Sequence, residues 1–394
     1  MSDAATPDPA APTPPHGLWQ LVRYMLGLGT WGFGGPVALV GYMYRDLVEK
    51  RQWISEADYK EGLALAQLMP GPLAAQLAIY IGYVHHQVRG ATLVGLAFVL
   101  PSFLMVVAFG AVYTRYGGIG WMQAVFYGVG AAVIGIIALS AYKLTTKNIG
   151  KDWLLWAIFA VSAAVTVIRK TESVWIFVGA GVLVWGVRAP PKWLSRSGMN
   201  SVAAPLAWFA IDGIDWSKLG QIGAYFFYAG SFVFGSGLAI VPFLYGGVVQ
   251  EYRWLNDRQF VDAVAVAMIT PGPVVITTGF IGYLVAGFWG AVVAAVATFV
   301  PCYLLTILPA PYFKQYGKRP GIVAAVDGVT AAAIGAIAGA VIVLGQRSIT
   351  DWITAGLALV TVGILWRFKK IPEPIIVLVA AVIGMVAYPL SRHQ

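Results

Sequence analysis

Long stretches without a charged residue recur along this chain, and they constrain its fold more than any other feature. Residues 24–44, 62–88, 90–114 and 116–142 contain no Asp, Glu, Lys or Arg. Because a helix rises about 1.5 Å per residue, each stretch can cross the roughly 30 Å hydrocarbon core of a bilayer. Charged residues make up only 11% of the chain, against about 25% in soluble domains. The sequence therefore predicts an all-α polytopic membrane protein.

The pattern of charged and uncharged stretches repeats in the second half of the chain. Shorter uncharged runs at 153–168 and 173–187 close the first half, and runs at 219–250, 263–313, 328–346, 352–366 and 374–391 follow. A shift of 200 or 201 residues aligns the two halves and matches Trp53 with Trp254, Gly82 with Gly282 and Pro101 with Pro301. Near the end, Asp152 matches Asp351 at a shift of 199. We expect two homologous repeats of five to six transmembrane helices, residues 17–188 and 217–390. A linker spans 189–216, and the Pro/Ala-rich residues 1–16 form a disordered tail.

The relative orientation of the repeats stays open at this point. Six spans in each half make the repeats parallel, whereas a re-entrant or single span over 153–187 inverts them. With six spans, Lys and Arg are evenly divided between the two sides, so the positive-inside rule does not decide.

Each half carries a Pro-Gly-Pro motif inside an uncharged stretch, Pro70-Gly71-Pro72 and Pro271-Gly272-Pro273. Proline lacks a backbone N–H and clashes with the preceding turn, so the motif predicts a helix break at mid-membrane. Pro72 and Pro273 suit the first turn of a new half-helix, whose free N–H groups can bind an anion. Broken helices at equivalent places in two repeats favour a transport site, and a mere kink is the alternative.

Glycines mark a second pair of candidate breaks. The first half contains Phe33-Gly34-Gly35-Pro36, and the second contains Phe234-Gly235-Ser236-Gly237. Glycine allows an unwound segment and close backbone approach to a ligand. Close packing between small-residue helices is the alternative.

A few charged residues lie close to these stretches. Glu61 and Asp262 each precede a Pro-Gly-Pro motif by nine residues, and Asp327 is the one charge between Pro320 and Gln346. These acids are candidates for proton coupling, although Glu61 and Asp262 also suit a helix start at the interface. Arg23 is a candidate counter-charge for a bound anion, and snorkelling to the lipid headgroups is the alternative.

Other functional classes lack support in the sequence. The motifs of zinc proteases, serine hydrolases and P-loop ATPases do not occur, so we expect no enzyme activity and no cofactor. The composition, with one cysteine (Cys302) and four histidines, does not favour a metal site. The net charge of +9 lies in the short segments between apolar runs, which favours contact with anionic lipid over nucleic acid.

The paired motifs identify a family. Phe33-Gly34-Gly35-Pro36, Trp53 and Pro70-Gly71-Pro72, with their second-half counterparts, resemble the two-domain long form of the chromate ion transporter family. Ser236 departs from the glycine common at that position. The resemblance covers residues 17–390 and implies chromate export from the cytoplasm, driven by the proton motive force. It also implies oppositely oriented halves related by a pseudo-two-fold axis.

The residues and the resemblance together predict a multi-pass transporter in the cell membrane. A chromate or sulfate-like oxyanion binds between the half-helix ends, and Asp327, Glu61 or Asp262 couples its movement to protons. A transporter of another oxyanion and an anion channel remain alternatives. The expected partners are this anion and the lipid bilayer, with a homodimer left open as the assembly.

Overall fold

The computed structural model describes residues 17–33, 35–116, 120–169, 174–189, 218–233, 240–316, 319–368, 371 and 373–391. Every regular element in these ranges is helical. In the first half the helices are α1 (Leu18–Trp31), α2 (Gly35–Met43), α3 (Glu56–Leu68), α4 (Leu73–Tyr116), α5 (Gly120–Asn148), α6 (Trp153–Arg169) and α7 (Val174–Arg188). A π-helical segment, Tyr44–Lys50, extends α2.

The second half repeats this order. Its helices are α8 (Lys218–Gly230), α9 (Ile240–Leu244), α10 (Asp257–Ile269), α11 (Thr277–Ile307), α12 (Ala310–Tyr316), α13 (Pro320–Ser348), α14 (Trp352–Arg367) and α15 (Glu373–Ser391). A π-helical segment, Tyr245–Glu251, extends α9, and a 3-10 turn, Val274–Ile276, precedes α11. The predicted all-α architecture with two homologous repeats is confirmed.

Both α4 and α11 fold back on themselves within their length. Gln87 has φ 50° and ψ −146°, so the arms 73–86 and 88–116 of α4 do not share one axis. A Cβ on Gly82 would lie 2.5 Å from the Gly90 carbonyl oxygen, which shows that the two arms pack side by side. In α11 the break falls at Ala286 and Gly287, and the arms again meet through glycines.

The glycine and proline breaks lie at the tips of helical hairpins. Tyr24 on α1 donates a hydrogen bond to the Tyr42 carbonyl oxygen at 3.3 Å, so α1 and α2 are antiparallel with their tip at residues 32–35. Gly62 on α3 packs directly on the Tyr80 ring, which places the Pro-Gly-Pro motif at the tip of the α3–α4 hairpin. Tyr225 repeats the first contact by donating to the Phe243 carbonyl oxygen at 2.5 Å.

These hairpins correct the expectation that each uncharged stretch is a span. The 13 residues of α3 extend only about 20 Å, less than the roughly 30 Å of the hydrocarbon core. The stretches 24–44 and 62–88 each include a tip at which the chain reverses, because the proline and glycine positions release the helical hydrogen bonds there. Full spans by length and hydropathy come from the second arms of α4 and α11 and from α5 and α13.

The two repeats exchange helices. A Cβ on Gly128 of α5 would lie 1.9 Å from the Ala380 carbonyl oxygen of α15, so the two backbones touch. The equivalent Gly328 of α13 would place a Cβ 2.3 Å from the Ala180 carbonyl oxygen of α7. The long helix of each repeat is therefore covered by the closing helix pair of the other, and buried side chains of both repeats form one continuous core.

Equivalent helices of the two repeats run in opposite directions. Ser102 and Gly110 on the second arm of α4 meet Gly272 and Tyr283, so this arm runs parallel to the first arm of α11. The first arm of α11 is antiparallel to the second, and the hydroxyls of Thr92 and Tyr303 meet at 2.6 Å. The second arms are therefore antiparallel, which is the arrangement of inverted repeats.

This inversion defines two faces. We name the first face by the Arg51–Ser55 turn, the α4 reversal at Gln87 and the α5–α6 turn. Its opposite, the second face, has the turn before α10, the α11 reversal and the α13–α14 turn. One cavity is lined by Ser55 and by His85 beside the α4 reversal, and another by Asn256 and by Leu284 beside the α11 reversal. Arg188 bridges Asp152 in the α5–α6 turn and Asp327 at the first face.

Candidate functional site

The hairpin tips of one repeat meet the tips of the other at the centre of the bundle. The Gly71 N–H donates to the Val233 carbonyl oxygen at 2.5 Å, and the Gly272 N–H donates to the Gly32 carbonyl oxygen at 3.3 Å. These two hydrogen bonds are equivalent, because both pairs are related by the 201-residue shift. Each Pro-Gly-Pro tip is thus hydrogen-bonded to the opposite repeat, through the carbonyl oxygen of Val233 or Gly32.

Glycine is required at both Pro-Gly-Pro tips. Gly71 has φ 148° and Gly272 has φ 91°, a region that side chains with a Cβ rarely adopt. At Gly272 a Cβ would also lie 2.8 Å from the Ser102 hydroxyl oxygen. The helix breaks expected from the motif are present, since α3 ends at Leu68 and α4 begins at Leu73, directly after Pro72.

Short helices point their N-terminal ends at this meeting point. The arm of α4 begins after Pro72, and the 3-10 turn before α11 begins after Pro273. The first backbone N–H groups of a helix have no partner within the helix, and the helix dipole adds partial positive charge. The arrangement therefore suits an anion with several oxygens.

Gln76 lies in the first of these helix ends, and the sequence reasoning missed it. It is completely buried; its Nε2 donates to the Pro70 carbonyl oxygen at 2.8 Å. Its Oε1 is buried with no hydrogen-bond partner among the described residues. The equivalent residue in the second half is Thr277, also completely buried. A signal existed, because an amide four residues after Pro72 stands out in an apolar stretch.

The glycine-rich tips are described in part. Phe33, Gly35 and Pro36 lie at the tip between α1 and α2, beside Gly32. Gly34 and the second-half residues Phe234, Gly235, Ser236 and Gly237 lie outside the described residues. Next to the second-half motif, the described contact is the hydrogen bond that the Val233 carbonyl oxygen accepts from the Gly71 N–H.

A cavity of about 770 Å³ leads from the first face to the first-half tip. Its lining includes three arginines, one aspartate and the tip itself: Arg23, Arg45, Arg51, Asp46, Trp31, Gly32 and Phe33. Arg23 is the basic residue included in the predicted site, and Arg45 and Arg51 were not part of that prediction. Partial burial acts to raise the pKa of Asp46, but the adjacent Arg45 guanidinium, at 3.0 Å, holds that pKa below its ordinary value.

Asp262 is the most enclosed of the candidate acids. It lies on α10, is 3% exposed, and accepts a hydrogen bond from the Tyr113 hydroxyl at 2.7 Å. Tyr113 belongs to the first repeat and lines a second cavity, of about 430 Å³, at the second face. Arg258, one turn earlier on α10, lines the same cavity. The Tyr113 side chain, from the first repeat, thus lies between the buried Asp262 carboxyl of the second repeat and an open cavity.

Glu61 and Asp327 have different surroundings. Glu61 interacts with the Tyr80 hydroxyl of its own repeat, near the second-half Phe313, which occupies the position equivalent to Tyr113. Asp327 accepts a hydrogen bond from Arg188 at 2.6 Å, and Arg188 also pairs with Asp152. Asp327 therefore belongs to an ion-pair cluster at the first face, apart from the hairpin tips.

Metal binding finds no support in the described part of the chain, where no group of three His, Cys, Asp or Glu side chains comes together. Cys302 is buried in the apolar cluster around α1 and α4. The candidate donors at the tips are the backbone N–H groups at the two helix starts, which suit an anion.

Comparisons with known proteins show the family to which the chain is similar. A family model described as "Chromate transporter" matches residues 19–185 and 220–385. The "Chromate transport protein" of Cupriavidus metallidurans is 71% identical over 383 residues, which is 96% of either chain. The "Probable chromate transport protein" of Synechococcus elongatus is 62% identical over 95% of this chain and 96% of its own. The "Chromate transport protein" of Pseudomonas aeruginosa is 28% identical over 98% and 96%. No solved structure matches.

Proposed function

Because this chain belongs to the chromate transporter family, we propose that it exports chromate across the cell membrane in exchange for protons, and so confers chromate resistance. The repeat units are residues 17–188 and 217–390, joined by the linker 189–216 and preceded by the tail 1–16. Chromate, a tetrahedral dianion, binds where the hairpin tips of the two repeats meet.

The single observation that carries this proposal is the pair of equivalent hydrogen bonds, from Gly71 to Val233 and from Gly272 to Gly32. They bring two helix N-terminal ends together with Gly32 and Val233, the residues directly before the two glycine-rich motifs, between inverted repeats. In secondary transporters, substrates bind at the repeat interface, where half-helix ends point at anionic groups. Phe33, Gly35 and Pro36, with Gly34 and the second-half residues 234–237, complete our proposed site.

The distribution of basic residues supports export. Among the described residues, eleven Lys and Arg lie at the first face: Arg45, Lys50, Arg51, Lys60, Arg89, Lys143, Lys147, Lys151, Arg188, Arg319 and Arg367. Six lie at the second face: Arg115, Arg169, Lys218, Arg253, Arg258 and Arg347. The positive-inside rule then places the first face in the cytoplasm. From the sequence, with six spans in each half, Lys and Arg were evenly divided between the two sides of the membrane. This even division changes because the re-entrant hairpins alter which loops share a side.

Asp262 is our proposed proton carrier. Removal from water disfavours the charged form of a carboxyl group, so a buried carboxylate can take up and release a proton. The Tyr113 hydroxyl bridges the two repeats, which links the protonation of Asp262 to the relative position of the repeats. Glu61 and Asp327 are the other candidates, and their contacts within one repeat or at the surface give them weaker support.

Flux measurements in proteoliposomes test this function. Vesicles loaded with chromate, sulfate or molybdate are subjected to an imposed pH gradient, and anion efflux is measured for wild type and Asp262→Asn. We expect the gradient to accelerate chromate efflux in the wild type. Asp262→Asn should lose the acceleration and retain exchange of chromate for chromate. Glu56→Gln, at an exposed acid paired with Lys60, is the matched control and should behave as wild type.

Three results would contradict the proposal. Sulfate flux without chromate flux indicates a transporter of another oxyanion. Currents that reverse near the Nernst potential of the anion, and that ignore the pH gradient, indicate a channel. Asp262→Asn with an unchanged response to the gradient removes Asp262 from the coupling mechanism.

Cysteine labelling tests the direction separately. Cys302 is completely buried, so single cysteines introduced as Lys60→Cys and Arg253→Cys are the reactive thiols. In intact cells a membrane-impermeant maleimide should label Arg253→Cys and spare Lys60→Cys. The reverse pattern would place the first face outside and contradict export from this face.

A further inference from the structure

We propose that the first-half cavity contains a second anion site, a capture site formed by Arg23, Arg45 and Arg51, which binds a divalent oxyanion before it reaches the hairpin tips. This inference rests on the proposed function and adds a binding step to it. The capture site is distinct from the tips because its donors are guanidinium groups, whereas the tips offer backbone N–H groups.

One continuous cavity extends from the first face to the first-half tip, because residues at both places line it. Arg45 and Arg51 lie toward the first face, and Arg23 lies on α1 nearer the middle. The far end of the cavity is Trp31, Gly32 and Phe33. Since the Gly32 carbonyl oxygen accepts the Gly272 hydrogen bond, an anion in this cavity is adjacent to the proposed transport site.

The charges of the cavity match a dianion. Three guanidinium groups face one carboxylate, Asp46, which pairs with Arg45 at 3.0 Å. This leaves a formal excess of two positive charges. The Asp46 carboxylate is also held by the Tyr24 hydroxyl at 3.4 Å, so it has partners of its own and leaves Arg51 and Arg23 available for an anion.

Aromatic rings hold Arg51 in place. Its guanidinium carbon lies 4.6 Å from the Trp53 ring centroid and 5.3 Å from the Tyr24 ring centroid. Arginine stacks on aromatic faces and keeps its N–H edge free for bidentate contact with an oxyanion. A lysine has no planar group to stack in this way.

The second half lacks this site. The positions equivalent to Arg23, Arg45 and Arg51 are Ala224, Gly246 and Tyr252. Tyr252 stacks on Trp254 with ring centroids 4.7 Å apart. Because the repeats are inverted, the equivalent surface belongs to the second face. Within the described ranges, this set of three arginines therefore lies at the first face, the face that we assign to the cytoplasm.

The two repeats also differ at the position of Asp46. Its equivalent is Gly247, and a Cβ there would lie 2.2 Å from the Tyr225 ring. The Tyr225 ring, equivalent to that of Tyr24, thus lies directly against the backbone at the position where the first half carries the Asp46 carboxylate. The two repeats share one backbone plan but differ in this region, which makes the second half an internal reference for the experiment.

The kinetics of chromate flux test the capture site. Wild type, Arg51→Tyr and Arg51→Lys are compared in proteoliposomes over a range of chromate concentrations, at low and at high ionic strength. Arg51→Tyr introduces the second-half residue and should raise KM by about tenfold, as expected for one lost charge-assisted hydrogen bond, with kcat nearly unchanged. Its KM should also depend less on ionic strength than that of wild type. Arg51→Lys should fall between the two.

The matched control is Arg253→Gln, which removes a positive charge at the second face. The new side chain is the one that the first half carries at the equivalent position, Gln52. It should leave KM and its salt dependence unchanged. An unchanged KM in Arg51→Tyr, or a lower kcat with unchanged KM, would overturn the capture site. Monodisperse elution in size-exclusion chromatography confirms that each variant is folded.

Failure of the proposed function has a different signature. In that case the wild type carries no chromate at all. The capture site is then judged by binding of radiolabelled sulfate to the detergent-purified chain, which Arg51→Tyr must weaken about tenfold. Equal sulfate binding by wild type and Arg51→Tyr would overturn the site.

Discussion

Replacing Gly272 with alanine tests the contact between the tips of the two repeats. The φ of Gly272 is 91°, and a Cβ added there would lie 2.8 Å from the Ser102 Oγ and 3.1 Å from the Ser102 Cβ. Ser102 sits on the second arm of α4, so the new methyl group would push the Pro-Gly-Pro tip away from the first repeat. We expect Gly272→Ala to lower both stability and flux.

The size of the effect follows from two independent costs. An L-residue in the left-handed region loses about 1–2 kcal/mol. Inserting a methyl group into a closely packed site costs about 1–3 kcal/mol. Together they reach about 2–5 kcal/mol, a large part of the roughly 5–15 kcal/mol that stabilises a typical protein. The Gly272–Gly32 hydrogen bond lengthens as well, so we expect flux to fall at least tenfold.

Thermal unfolding followed by size-exclusion chromatography measures the loss of stability, and chromate efflux measures the loss of function. Gly41→Ala on α2 is the matched control, because no atom lies within 4 Å of its added Cβ. That variant should be neutral or slightly stabilising. The double variant Ser102→Ala/Gly272→Ala should recover part of the lost stability, because it removes the contact with Oγ. The reasoning is refuted if Gly272→Ala has the Tm and flux of Gly41→Ala.

Two further predictions concern the helix exchange and the first-face ion pairs. Gly128→Ala should strongly lower Tm, because its Cβ would lie 1.9 Å from the Ala380 carbonyl oxygen; Gly179→Ala, with no atom within 4 Å, should not. The hydrogen bond from Arg188 lowers the pKa of Asp152, so their pairing stabilises the protein above the ordinary carboxyl pKa and is lost as pH falls below it. The Tm difference between wild type and Arg188→Gln should therefore shrink below about pH 4. A Tm difference that grows in acid would contradict this assignment.

The sequence predicted the helix breaks and the repeats, and the reasons are local. Proline and glycine limit backbone geometry wherever they stand, so Pro70-Gly71-Pro72 had to interrupt a helix. The angle between α3 and the first arm of α4 is not a local property. It depends on Gly62 packing against Tyr80, a contact that the spacing of residues along the chain did not reveal.

The parts of the site that the sequence missed depend on contacts between distant segments. Arg45 and Arg51 follow an uncharged stretch, and linear spacing does not show that α1 and the 44–50 segment meet. The bond between Tyr113 and Asp262 joins residues 149 positions apart. The reversal at Gln87 has no sequence signal, since glutamine is not a residue that favours turns.

The exchange of helices between repeats has a consequence for how this protein is assembled. With α5 lying on α15 and α13 lying on α7, each half exposes a surface that only the other half can cover. A half synthesised alone would expose the backbone groove at Gly128 or Gly328 to lipid, because the helices that cover it belong to the other half. Two halves synthesised as separate chains, divided between Ala189 and Lys218, should instead associate and form the complete bundle. The two repeats therefore behave as obligate partners that a linker joins covalently.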